Sequence, residues 1–126
     1  MVICLYGLRA RGTSAPYAEE EERIFNALLD KARKDPGFIG YHLYTSEDGE
    51  ELGVIRFDTR EALERWREDP SHQAAWARAG DFYEEFWVQN CETFGEYVWR
   101  SGAHVDEDLR MRFRSDVANL APEQSR

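Results

Sequence analysis

The chain has 126 residues, which gives room for one core and none for a cofactor domain beside a substrate domain. With 42% hydrophobic and 33% charged residues it is too apolar for disorder and too polar for residence in a bilayer. Asp and Glu number 25 against 16 Lys and Arg, and the resulting formal charge of −9 makes nucleic acid and anionic membrane poor partners.

In chain order, Val2 to Leu8 is an apolar run of strand length, without the basic leader or the ~20 apolar residues of a signal or membrane span, so a cytoplasmic location is expected. Cys4 and Cys91 fall in apolar strand-like runs and read as buried free thiols of a reducing compartment. From Pro16 the pattern turns helical, with Tyr17, Ile24, Phe25, Leu28 and Ala32 on one stripe, Glu19 to Glu22 as a solvated start, and Asp35-Pro36-Gly37 as the stop. Phe38 to Thr45 and Leu52 to Asp58 form an antiparallel hairpin around Asp48-Gly49. Thr59 opens a helix that carries Ala62, Leu63 and Trp66 inward and breaks at Asp69-Pro70. A shorter piece follows from Ser71 to Gly80, with His72, Ala75, Trp76 and Ala79 on one stripe. Asp81 to Glu85 reads as a connector, and Phe86 to Trp99 as a long strand bent near Gly95.

The order β-α-β-β-α-β predicts an α+β, ferredoxin-like fold: a four-stranded antiparallel sheet over residues 1–100 with both helices on one face. Strands apolar on both sides leave the other face uncovered, so a homodimer packed through that face is expected. Residues 101–126 form a C-terminal extension in which Asp106 can cap a helix carrying Leu109, Phe113, Val117 and Leu120, followed by a frayed tail.

No phosphate loop, nucleophile elbow or metal-spaced cysteine pair is present. His42, His72 and His104 lie on different elements with no second ligand nearby, so no metal site is expected. The hairpin beginning Pro36-Gly37-Phe38-Ile39-Gly40-Tyr41, the run Arg56-Phe57-Asp58-Thr59-Arg60-Glu61-Ala62-Leu63, and then Trp66 and Pro70-Ser71-His72-x-Ala together resemble the antibiotic biosynthesis monooxygenase family over roughly residues 1–99. The resemblance implies a dimeric α+β barrel with one pocket per subunit between helices and sheet. It also implies either cofactor-independent oxidation of phenolic or quinol substrates by molecular oxygen or haem degradation.

Oxygenation without a cofactor needs an aromatic cavity, a base and a donor for the phenolate. On that basis His72 and Trp66 are the candidate catalytic residues, with Trp76, Arg56, His42, Tyr44 and Tyr6 as candidate contacts for a small aromatic or apolar ligand and no cofactor. Each also has a structural role open to it. Trp66 suits a core, His72 a helix cap, Arg56 an ion pair with Asp58 or Glu92, and His42 and Tyr44, expected on one strand face with Phe38, a dimer interface. The haem-degrading pattern places a histidine ten positions after the helix tryptophan, where this chain has Trp76, and an asparagine on the first strand, where it has none. A haem-binding protein using His72 or His42 and a noncatalytic ligand-binding dimer are the alternatives.

Overall fold

The computed structural model describes residues 1–12 and 15–101, so His104 and the expected helix after Asp106 lie outside the described residues. Seven elements follow one another: β1 (Val2–Ala10), α1 (Ala15–Lys34), β2 (Phe38–Thr45), β3 (Glu51–Phe57), α2 (Arg60–Glu68), α3 (Pro70–Phe82) and β4 (Tyr83–Glu92). The strands form one antiparallel sheet in the order β2-β3-β1-β4, the ferredoxin-like arrangement, with the second helix divided in two. The division sits where the sequence demands it. Pro70 has no N–H to continue α2, and the Asp69 carboxylate caps α3 by accepting from the Ser71 N–H at 2.9 Å.

The pleat sorts the sheet into two faces. Val2, Cys4, Tyr6 and Leu8 of β1 and Ile55 and Phe57 of β3 turn toward the helices and join Ala32, Ala62, Leu63 and Trp66 in the core. Ile55, Phe57, Ala32 and Ala62 are fully excluded from solvent. The intervening residues Ile3, Leu5, Leu52 and Trp87 face the other way and are half-buried. Two glycines let rings lie flat on the strands. A Cβ on Gly53 would meet the Tyr6 ring at 1.9 Å on the helix side, and one on Gly7 would meet the Trp87 indole at 2.2 Å on the open side.

Three local expectations are corrected. β2 carries an irregularity between Phe38 and Gly40, which shifts its phase by one residue: Phe38 packs edge-on against Phe57 in the core, whereas His42 and Tyr44 point to the open face. The 81–85 segment is not a connector. α3 runs through Gly80 to Phe82, whose ring is buried, and Arg11 closes its end by donating to the carbonyls of Gly80 and Phe82, each at 2.9 Å. β4 ends at Glu92 rather than Trp99, because Glu92 pairs with Val2 at the very start of β1 and β1 extends no further.

Residues 1–92 make one compact unit, and a second begins at Thr93, where the Thr93 hydroxyl donates to Glu96 at 2.8 Å. No helix among the described residues is long and apolar enough to cross a membrane.

Candidate active site

A cavity of about 440 Å³ lies in the first unit between the sheet and α1 and α3, within the size range of small-molecule sites. Two ion pairs hold its helical side. Lys31 meets Asp69 at 2.8 Å and Arg78 meets Glu20, so α1 and α3 run antiparallel along their length. The Glu20 contact departs from the expected solvated Glu19–Glu22 run.

Trp66, His72, Trp76 and Tyr6, all singled out from the sequence, line this cavity together. Trp66 is 8% exposed, and its indole N–H donates to the Leu28 carbonyl at 2.8 Å. Its one hydrogen-bond donor is thus committed to the scaffold, and what it offers the cavity is an aromatic wall. His72 stands edge-on to that wall with ring centroids 4.4 Å apart. Capping of α3 is done by Asp69, so the imidazole is relieved of that duty, and its Nδ1 is buried without a hydrogen-bond partner among the described residues.

Burial first, and the nearby Arg67 charge second, hold the His72 pKa below its ordinary 6.5 against the opposing pull of Asp69. A neutral imidazole with an unused ring nitrogen beside a cavity is equipped to accept a proton. Tyr6 stacks on Phe86 and shares a 3.0 Å hydrogen bond with the Tyr41 hydroxyl, and burial raises its pKa far above the usual phenol value. Trp76 forms the rim, 46% exposed and edge-on to Phe86 at 5.2 Å.

The other three candidates are elsewhere. Arg56, His42 and Tyr44 lie on the open face of the sheet, separated from the cavity by the strands themselves. Neither expected partner serves Arg56: Glu92 pairs instead with Arg60 at 3.5 Å, and no carboxylate among the described residues reaches Arg56. Cys91 is exposed on that same face instead of buried, while Cys4 is buried beneath the cavity with its thiol pushed up to about 11 by burial.

Sequence reasoning missed Glu21, Arg67, Tyr83 and Asn90 among the lining residues. Glu21 was detectable, because it stands four residues before Phe25 and three before Ile24, on the apolar stripe of α1. Asn90 emerges only from strand pairing, which sets it opposite Cys4 on the helix side. Among the described residues no group of three or more His, Cys, Asp or Glu side chains is arranged to hold a metal ion.

The model of a family described as antibiotic biosynthesis monooxygenase matches residues 10–78, more than half of the chain. The chain belongs to the antibiotic biosynthesis monooxygenase family. Uncharacterized protein YqjZ of Bacillus subtilis is 34% identical over 59 residues, 47% of this chain and 48% of YqjZ, so the chain spans about half the length of that curated relative. Among solved structures, Rv0793 of Mycobacterium tuberculosis superposes with a TM-score of 0.61 at 23% identity, covering 75% of this chain and 96% of that one. SnoaB, a cofactor-independent oxygenase from Streptomyces nogalater, gives 0.60 at 14% identity over 75% and 94% of the two chains. A candidate antibiotic biosynthesis monooxygenase from Deinococcus radiodurans gives 0.63 at 20% identity over 81% and 100%. At these identities the structural likenesses establish the fold. In this member of the family, the cavity combines four of the expected residues with an acid and a phenol that the pattern did not announce.

Proposed function

We propose that the chain is a cofactor-independent monooxygenase that oxidises a small aromatic, quinol-type substrate with molecular oxygen in the cavity beneath α1 and α3. The observation that carries this reading is His72: an imidazole in the cavity lining, pressed edge-on against Trp66, with a buried Nδ1 that has no hydrogen-bond partner among the described residues. His72 accepts the substrate's phenolic proton, and the phenolate formed is electron-rich enough to reduce oxygen directly. Transfer of one electron and recombination form a carbon–oxygen bond. The hydroperoxide, protonated by His72, then loses water. Overall a ring CH2 and O2 become a carbonyl and one water, with all four electrons supplied by the substrate.

The proposed working form is a homodimer through the open face, where Ile3, Leu5, Leu52 and Trp87 present an apolar surface that one protomer leaves half-covered. Oxygen uptake with dithranol, a three-ring compound with an oxidisable ring CH2, tests the reaction. Uptake above the spontaneous rate is expected, falling at least about a hundredfold in His72→Phe, as for loss of a general base. A rate equal to that of buffer alone overturns the reading. Sedimentation of Leu5→Lys should give half the wild-type mass, and an unchanged mass removes the dimer.

A further inference from the structure

We infer that Glu21 and Tyr83 form the substrate's second polar contact, a site that accepts a hydroxyl hydrogen at the end of the cavity away from His72. The inference rests on the reading of this cavity as the substrate site. Both side chains line it, Glu21 from α1 and Tyr83 from the first position of β4. The Tyr83 hydroxyl donates to one Glu21 oxygen at 2.7 Å, and the other carboxylate oxygen has no partner among the described residues.

The placement of Glu21 is costly for a side chain with a purely structural role. Its acidic neighbours on the α1–α3 seam all have cations: Glu20 and Asp81 share Arg78, and Asp69 holds Lys31. Glu21, half-buried, has no Lys or Arg within ion-pair distance among the described residues and shares the cavity lining with Ile24, Phe25, Phe82 and Phe86. A carboxylate beside apolar walls needs hydrogen bonds to offset its lost hydration, and Tyr83 supplies one. A ligand hydroxyl supplies the next, whereas a ligand anion is repelled by the carboxylate. Burial and the neighbouring Glu21 raise the Tyr83 pKa far above the phenol range, so Tyr83 stays protonated and acts as a positioning residue for Glu21.

The seam fixes the spacing. His72 is near the Lys31–Asp69 clamp and Phe82, the last residue of α3 and the neighbour of Tyr83, lies beyond the Glu20–Arg78 clamp, roughly 15 Å away along the helix axis at 1.5 Å per residue. The ligand class is therefore an elongated aromatic with a neutral hydroxyl at each end, one delivered to His72 and the other to Glu21.

Calorimetric titration of the full chain under argon with 4,4′-dihydroxybiphenyl, long enough to reach both ends, and with 4-phenylphenol measures the contact without turnover. The diol should bind about tenfold more tightly than 4-phenylphenol, the equivalent of 1.4 kcal/mol. Glu21→Ala should bring the two within about twofold. Glu21→Gln, which keeps an oxygen acceptor, should retain most of the preference, and Tyr83→Phe should give an intermediate one. A preference unaltered in Glu21→Ala, or no saturable binding of the diol to the wild type, overturns the inference. The full pattern without any oxygen uptake on dithranol upholds this contact and sinks the monooxygenase reading alone.

Discussion

The two faces of the sheet are built from similar residue types and end in different physical states. On the helix side, Val2, Cys4, Tyr6, Leu8, Ile55 and Phe57 are buried, and the rings above them leave the cavity. On the open side, Ile3, Leu5, Leu52 and Trp87 remain half-covered, with His42 and Tyr44 exposed beside them. Hydrophobicity alone therefore does not say where a site forms in this fold. The helix layer makes the difference, because it closes a volume over one face and brings polar groups such as His72 and Glu21 to its boundary.

Truncation should expose that contrast most strongly. Phe57→Ala removes a fully buried ring that touches Phe38 and Trp66, and should cost about 3–5 kcal/mol in urea unfolding, as aromatic truncations in cores do. Leu5→Ala on the half-covered open face should cost less than half as much. Equal losses would mean that the faces are energetically alike.

The paired glycines give a finer test. Gly53→Ala drives a methyl into the buried Tyr6 ring and should cost about 1–3 kcal/mol, with loss of the Tyr6–Tyr41 bond. Gly7→Ala meets the indole of a half-buried Trp87, whose N–H donates to Glu50 at 3.1 Å, and should cost less. The order of the two urea midpoints decides it.

The helix side also holds a titrating group whose effect has a definite sign. Because the folded state keeps the His72 pKa below 6.5, the unfolded chain binds more protons in that range, and stability falls as pH drops below about 6.5. The carboxylates of Asp35 and Asp69, held down by Arg65 and Lys31, lose their contribution only in more acidic solution, below the usual carboxylate range near 3.8. Urea midpoints at pH 7.5 and 5.5 should converge in His72→Phe, and an undiminished difference would assign the effect elsewhere. As the smallest expected effect, Arg33→Ala breaks a 3.6 Å pair with Asp30 in which both side chains are more than half exposed, and should change stability by less than about 0.5 kcal/mol.

Element order, hairpin, helix break and family were legible because they depend on local chemistry: Asp48-Gly49 at a turn, Thr59 and Asp69 as caps, Pro70 at a first helical position. The cavity stripe His72, Ala75, Trp76 and Ala79 was legible for the same reason, since helical period fixes a face. What failed depended on pairing. A single irregularity at Ile39 reversed the expected facing of Phe38 relative to His42 and Tyr44, and nothing in β2 alone marks it. Strand length was misjudged because β4 ends where its pairing with Val2, the first residue of β1, ends, although Phe94, Tyr97 and Trp99 have β-forming side chains. Arg56 illustrates the limit of alternation: its half-burial is on the side that one protomer leaves bare.

The two ionic clamps have a further consequence. Lys31–Asp69 and Glu20–Arg78 are partly exposed along the α1–α3 seam, where dissolved ions weaken attraction between charges, whereas the floor beneath is held by apolar contacts that charge screening does not weaken. Ionic strength should therefore act on the roof of the chamber and spare its base, making ligand entry and release, more than global unfolding, the process that responds to brine.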